Sequence, residues 1–321
     1  MKKNLLSVLA LATLLGLLVA CSNGAVPVDA QNEDVSTTQR EETQGIHGFL
    51  TRVEYGDNTV YLFGDFWATR SEFPPFASIV EEAMQRTDVF FTRDNPTAMD
   101  DPEYLEFLMS RFYFPPGITL ESYLPSDIYE NFSKILDEYN FGTYVNTAFP
   151  LAILQSFIPF ELVGRLSAEP FSMDEYIQEY AILAGRPLYF FFDSFWFIDV
   201  LLPQTEAIQF AAATSILPIE DALARAKSTL NAYKQQNETL LIELLLNSAD
   251  GGGNEFAQFL VGLDLLVAEE FKFGIAELLR ETEEPTTFFI PVWVENMIGD
   301  GDTNVTKLLE REGFVVTRMF E

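Results

Sequence analysis

The feature that most constrains the fold is a strand that ends in a glycine corner and is followed by a helix and a second strand. Residues 58–67 read NTVYLFGDFW, in which a run of β-forming residues ends at Gly64. Glycine lets the backbone turn or approach another segment closely. Apolar residues at helical spacing follow over 76–84, and then comes an apolar run at 88–92. This order predicts an α/β unit with its functional groups at the carboxyl ends of the strands.

The rest of the chain predicts a mixed α+β fold. Its central β-sheet is built from N- and C-terminal strands, and a large helical middle section spans 101–285. Alternating residues at 46–54 and a turn at 55–58 indicate a hairpin. Further strands are predicted at 188–192, which we expect to be a core strand, at 286–292 and at 313–319. Predicted helices cover 102–112, most of 119–141, kinked segments of 146–166, 173–184, 218–249, 254–282 and 303–312.

The N-terminal residues are typical of an exported lipoprotein. Lys2 and Lys3 precede an apolar run over residues 5–20, which predicts a signal peptide at 1–20. The run ends in Leu-Val-Ala-Cys, which resembles a bacterial lipobox, so Cys21 is the predicted lipidation site. It is the only cysteine, so it has no disulfide partner in the chain. An uncleaved anchor helix is the alternative, although the run is shorter than the about 20 residues that a span needs.

These residues also divide the chain and predict its location. Residues 21–44 are polar and aperiodic and read as a lipidated flexible tether, and residues 45–321 form the predicted folded domain. We therefore expect an extracytoplasmic protein held by its N-terminal lipid on the cell membrane or outer membrane. The sequence does not distinguish between these two membranes.

The charge of the chain restricts its partners. The formal net charge of -30 argues against nucleic acid and against an anionic membrane surface, because both would repel the protein. A solvated acidic surface explains this charge more simply than a cationic ligand, which stays an alternative. A protein or small-molecule ligand is not identified by the sequence.

Four segments together resemble the TraB/GumN family over residues 48–318. They are NTVYLFGDFW with the following FASIVEEAMQRTDVFFTRD, then PPGITLESYLPSDIYENFSKIL, SMDEYIQEYAILAGRPL, and TTFFIPVWVENMIGDGDTNVTKLLEREGFVVTR. No single segment is specific, and the resemblance depends on their order and spacing. In that family, as in the related Tiki proteases, two histidines in G-x-x-H motifs and a glutamate are taken to hold a divalent metal. The resemblance implies that this metal would activate water for peptide hydrolysis.

The sequence departs from the family pattern at every expected metal ligand. Gly64 keeps the first glycine, but Trp67 stands in place of the first histidine and Arg93 in place of the glutamate. At the second motif Trp293 replaces the glycine and Asn296 replaces the histidine. These replacements predict that no metal is held and that no catalytic residue of the family remains.

The histidine count leads to the same expectation. His47 is the only histidine, and it lies outside both motifs, so a two-histidine site cannot be built. We therefore expect no cofactor and favour a binding or structural protein over an enzyme. The candidate cleft is lined by the degenerate motif positions and their neighbours, which are Gly64, Asp65, Trp67, Arg93, Trp293, Glu295 and Asn296.

Two other functions stay open. A divergent, metal-independent hydrolase could use Asp65, Glu295 and Arg93 in the same cleft. Other acidic residues near predicted strand ends are Asp94, Asp193, Asp199, Asp300 and Asp302. A related lipoprotein fold binds haem, for which a tyrosine or His47 would have to supply the axial ligand. The aromatic-rich residues 193–202 favour core packing, with a functional aromatic box as the alternative.

Overall fold

The computed structural model describes residues 48–66, 68–69, 76–93, 95–166, 170–171, 173–203, 205–246 and 255–319. The predicted signal peptide, Cys21, the tether, His47, Trp67 and Asp94 lie outside these ranges. The predictions for these residues stay predictions.

A six-stranded mixed sheet forms the centre of the protein. The strands are β1 Phe49–Tyr55, β2 Asn58–Asp65, β4 Val89–Thr92, β6 Leu188–Phe190, β7 Thr287–Trp293 and β8 Val315–Arg318, in the order β6-β4-β7-β2-β1-β8. Strands β2, β7, β4 and β6 run parallel to one another, and β1 is antiparallel to both β2 and β8. Two short strands, β3 Ala68–Thr69 and β5 Pro170–Phe171, form a separate antiparallel pair. The predicted mixed α+β class is confirmed, and so is the sheet built from both ends of the chain.

The hairpin and several helix ends follow from local sequence signals. Gly56 has φ of +59° in the turn between β1 and β2, a conformation that glycine adopts without strain. Asp101 caps the second helix by accepting a hydrogen bond from the amide of Glu103, and Pro102 is the first helical residue. The helices are α1 Ser78–Arg86, α2 Pro102–Phe112, α3 Leu120–Tyr123, α4 Ser126–Tyr139, α5 Pro150–Ala152, α6 Ile158–Leu166, α7 Met173–Ala184, α8 Ser194–Leu201, α9 Glu206–Ser215, α10 Ile219–Lys234, α11 Glu238–Leu241, α12 Glu255–Glu281 and α13 Val305–Arg311.

The structure differs from the predicted elements in three places. The helix predicted at 218–249 is broken after Lys234, because Gln236 adopts a φ of +52° and the side chain of Asn237 then caps α11. Helix α9 was not predicted. Strand β6 was predicted as a core strand, but it is an edge strand whose Tyr189 is 56% exposed.

The predicted irregularity of residues 146–166 is confirmed. A π-helical turn at Ile153–Phe157 joins α5 to α6. Such turns are a recognised cause of helix kinks.

The core surrounds the central strands on both faces. Phe63 of β2 packs edge-on against Phe76 and stacks on Phe289 of β7, and all three side chains are buried. Parallel strands are covered on both faces, in agreement with the burial of β2 and β7 over nearly their whole length. None of the helices in the described ranges has the length and apolar character that crossing a membrane requires.

Candidate functional site

The site lies where three parallel strands end side by side. Strand β7 is the middle one, with β2 on one side and β4 on the other. Gly64 is opposite Val292, and Asp65 is opposite Trp293. Arg93 follows β4 directly. The sheet therefore places Gly64, Trp293 and Arg93 at the carboxyl ends of three neighbouring strands.

A buried ionic cluster lies at the carboxyl ends of these strands. The Nη2 atom of Arg93 donates to Oδ2 of Asp65 at 2.5 Å, and its Nε donates to Oδ2 of Asp174 at 2.8 Å. The backbone amide of Arg93 also donates to Oδ1 of Asp174 at 3.1 Å. Arg93 is 6% exposed and Asp65 is 2% exposed. A guanidinium held by two carboxylates in this way is a fixed part of the fold.

An aromatic wall adjoins the cluster. The guanidinium carbon of Arg93 lies 5.3 Å from the ring centroid of Trp293, within the range of a cation–π contact. Trp293 in turn stacks on Phe197 of α8, with ring centroids 5.6 Å apart. Phe197 is buried and also stacks on Phe192. The aromatic-rich segment after β6 therefore packs in the core against Trp293, which supports the core-packing interpretation.

Burial weakens the acidity of the carboxyls around Arg93. Burial raises the pKa of Asp65 to about 6, although Arg93 lowers it and Asp174 raises it further. Burial also raises the pKa of Glu295, which Arg93 lowers and Asp65 raises. The pKa of Asp264 on α12 is raised to about 7 by burial and by the charge of Glu295. The site thus contains several acidic groups for which ionisation is unfavourable.

Gly64 allows the backbone of β2 to lie close to β1 and α10. A Cβ atom at this position would lie 2.8 Å from Cβ of Phe49, too close for two carbon atoms. The carbonyl oxygen of Gly64 accepts a hydrogen bond of 2.6 Å from the hydroxyl of Tyr233. Burial and the nearby Asp65 raise the pKa of Tyr233, so the phenol stays neutral and can donate. The retained glycine therefore serves close packing at this corner.

At the second motif, asparagine side chains bind the backbone of the loop after β7. Asn296, which stands in place of a histidine, is fully buried, and its Nδ2 donates to the carbonyls of Asp264 and Thr303, both at 3.2 Å. Asn304 is also fully buried and donates to the carbonyl of Gly299 at 2.6 Å. The amide of Gly299 donates to Oε1 of Glu238 at 3.0 Å. This corner is closed by neutral amides that satisfy backbone groups.

The other acidic residues singled out in the sequence do not join the cluster. Asp193 caps α8 through the amide of Trp196, at 2.9 Å, and Asp300 is exposed. Asp199 pairs with Arg111, and Asp302 pairs with Arg311 at 2.5 Å, both on the surface. Of the predicted acidic candidates in the described ranges, only Asp65 and Glu295 belong to the site.

The side chains at the carboxyl ends of β2, β4 and β7 do not fit a divalent metal. Where the family pattern has a glutamate, a guanidinium supplies five donors and no lone pair. Where it has the second histidine, both donor hydrogens of the Asn296 amide group point to carbonyl oxygens. Across the described ranges, no group of three or more His, Cys, Asp and Glu side chains could hold a metal ion.

Sequence reasoning missed three residues of the site. Asp174 was predicted only as part of the helix at 173–184. Its pairing with Arg93 joins residues 81 positions apart, which no local pattern can reveal. Tyr233 and Asp264 lie in the helices predicted at 218–249 and 254–282, to which no part in the site was assigned. One signal was available: an arginine directly after a buried strand requires a carboxylate partner.

Comparison with known proteins places the chain in one family. The model of the TraB/PrgY/gumN family matches residues 49–318, which is most of the chain and agrees with the resemblance found in the sequence. No curated protein and no solved structure matches the chain. The chain belongs to the TraB/PrgY/gumN family.

Proposed function

We propose that this chain is a lipid-anchored, non-catalytic member of its family that acts as a binding or structural protein. The observation that carries the proposal is the burial of Arg93 between Asp65 and Asp174, at the position where the family pattern has a metal-binding glutamate. Replacing a glutamate by an arginine changes the local charge by two positive units. A permanent cation at this point repels a divalent metal ion and cannot act as its ligand.

The second support is that groups at both motif corners bind other groups of the fold. The carbonyl of Gly64 binds Tyr233, and the amide of Asn296 binds two backbone carbonyls. Residues used in this way hold loops in place and leave little freedom for chemistry. The strands and corners of the family are kept, and we propose that the protein uses them for binding or structure and no longer for catalysis.

A peptidase assay tests the loss of catalysis. The purified full chain is incubated with a panel of peptides in the presence of Zn²⁺, Mn²⁺ or Co²⁺, with and without a chelator. We expect no hydrolysis above the background of the Arg93→Met variant under any of these conditions. Turnover that requires an added metal and disappears with the chelator would overturn the proposal.

A labelling experiment tests the lipid anchor. We expect cells that express the chain to incorporate labelled palmitate into it, and the Cys21→Ala variant to lose the label. The Ser22→Ala variant is the matched control and should keep the label. Labelling that persists in Cys21→Ala would contradict the anchor.

A divergent hydrolase is the second candidate, favoured by the acidic groups beside Arg93. Carboxyls whose pKa lies close to neutral pH can act as general acids or bases, and the pKa is raised to about 6 for Asp65 and to about 7 for Asp264. This candidate predicts hydrolysis of a peptide, ester or glycoside without added metal. Such activity should be lost in Asp65→Asn or Glu295→Gln and kept in the exposed control Asp300→Asn. Absence of activity across the three substrate classes would rule this candidate out.

A further inference from the structure

One side of the central sheet ends in a strand with exposed apolar residues. Strand β6 is the terminal strand on that side, and its outer edge pairs with no other strand in the described ranges. Tyr189 and Phe190 are neighbours in this strand and are 56% and 37% exposed. Because neighbouring strand residues point to opposite faces, the sheet is incompletely covered on both faces here.

The end of α7 extends this surface. Ile182 and Leu183 lie in its last turn and are 68% and 87% exposed. Only the turn at 185–187 separates them from β6. We call Ile182, Leu183, Tyr189 and Phe190 the β6 patch. Clusters of exposed apolar residues near an unpaired strand are typical of interaction sites.

The hydrogen bonds to β4 fix which backbone groups are free on the outer edge. The amide of Phe90 donates to the carbonyl of Pro187 at 2.9 Å, and the amide of Phe191 donates to the carbonyl of Thr92 at 2.8 Å. Residues 187, 189 and 191 therefore face β4. The N–H and C=O groups of Leu188 and Phe190 face outwards, where they can pair with another strand.

We infer that the occupant of this edge is a second copy of the chain, paired antiparallel through β6. In the register that places Leu188 opposite Phe190 of the second copy, both residues exchange N–H···O bonds across a two-fold axis. Tyr189 then lies opposite its own counterpart, so the two rings meet on one face of the sheet. The apolar side chains of each β6 patch cover those of the other.

The charges flanking β6 are complementary in the same register. Arg186 precedes the strand and is paired only loosely with Asp88, at 3.6 Å. Asp193 follows the strand, is exposed, and comes next to Arg186 of the second copy when the strands run antiparallel. A parallel arrangement would instead place like charges together. This inference does not rest on the proposed function, because none of these residues belongs to the site around Arg93.

Disulfide trapping tests the inference and its register. Cys21→Ser removes the only cysteine of the full chain, and Tyr189→Cys then introduces a single thiol into each copy. Residues opposite each other in a non-hydrogen-bonded pair have the Cα spacing that a disulfide accepts. We expect Tyr189→Cys to form a covalent dimer at least about tenfold faster than Val315→Cys, which is 61% exposed on the opposite edge strand.

Light scattering during gel filtration of the full chain in detergent provides the second readout. Phe190→Pro removes an outward N–H without touching the bonds to β4, and Tyr189→Lys places a charge in the interface. We expect each variant to raise the dimer dissociation constant at least about tenfold, and Phe190→Ala, which keeps the N–H, to raise it less. A chain that is monomeric at every concentration would overturn the inference. A dimer that survives both variants, or cross-links equally well through Val315→Cys, would overturn it too.

Discussion

The two corners of the site are closed by different kinds of interaction. The first corner, at the ends of β2 and β4, is closed by the charges of Arg93, Asp65 and Asp174, whereas the loop after β7 is closed mainly by the neutral amides of Asn296 and Asn304. A buried ion pair depends on every partner, since removal of one leaves an uncompensated charge. Removal of a buried amide side chain costs only the hydrogen bonds that this side chain makes. The first corner should therefore be the more sensitive to mutation.

The largest effect is expected from removing the cation. Arg93→Met leaves the buried Asp65 and the half-buried Asp174 without a counter-charge and should lower the free energy of unfolding by about 3–5 kcal/mol. Denaturant unfolding measures this change. Arg86→Met is the matched control on the surface, where the pair with Glu82 is exposed and should contribute at most about 0.5 kcal/mol. Equal losses in the two variants would show that the cluster is not a structural unit.

The next largest effect is expected at the amide corner. Asn304 accepts from the amides of Thr306 and Lys307 as the cap of α13 and also binds the carbonyl of Gly299. Asn304→Ala should destabilise the protein by about 2 kcal/mol. Asn95→Ala removes a surface cap with a single amide partner and should cost less than about 1 kcal/mol. An Asn304→Ala loss larger than that of Arg93→Met would reverse the comparison.

A smaller effect is expected where α10 meets the corner of β2. Tyr233→Phe removes the hydroxyl that binds the carbonyl of Gly64 and keeps the ring contacts with Phe49 and Phe66. We expect a loss of about 1 kcal/mol in the free energy of unfolding. Tyr55→Phe, at an exposed ring, should change stability very little. Identical stability of Tyr233→Phe and the parent chain would show that this hydrogen bond is energetically neutral.

A fourth effect concerns pH. The pKa of Asp65 is raised to about 6 and that of Asp264 to about 7, from ordinary values of 3.8. The folded state therefore holds protons that the unfolded state has already lost, so stability should fall as pH rises from about 4 to about 7. Asp264→Asn should flatten part of this fall, and the exposed Asp300→Asn should not. The effect at Asp264 is reduced by its partial exposure to solvent. A stability that rises over this range would contradict the assigned shifts.

The sequence was sufficient for the framework of this site and insufficient for its contacts. Strand β2, the glycine corner and the position of Arg93 follow from residue order, because apolar patterns and turn residues act locally. The partners of Arg93 and Gly64 do not, because Asp174 and Tyr233 are brought in by tertiary packing. The break at Gln236 was missed because a left-handed glutamine has no sequence signature. Strand β6 was misplaced in the core because its composition is that of a buried strand.

The most direct test of the account is the divalent-metal content of the purified full chain. The chain is incubated with Zn²⁺ or Mn²⁺, desalted at high ionic strength to remove ions held by the acidic surface, and analysed by mass spectrometry. With Arg93 fixed between Asp65 and Asp174, we predict a metal content near zero, equal to that of the Asp65→Asn variant. A stoichiometry near one ion per chain that is lost in Asp65→Asn or Glu295→Gln would contradict the account.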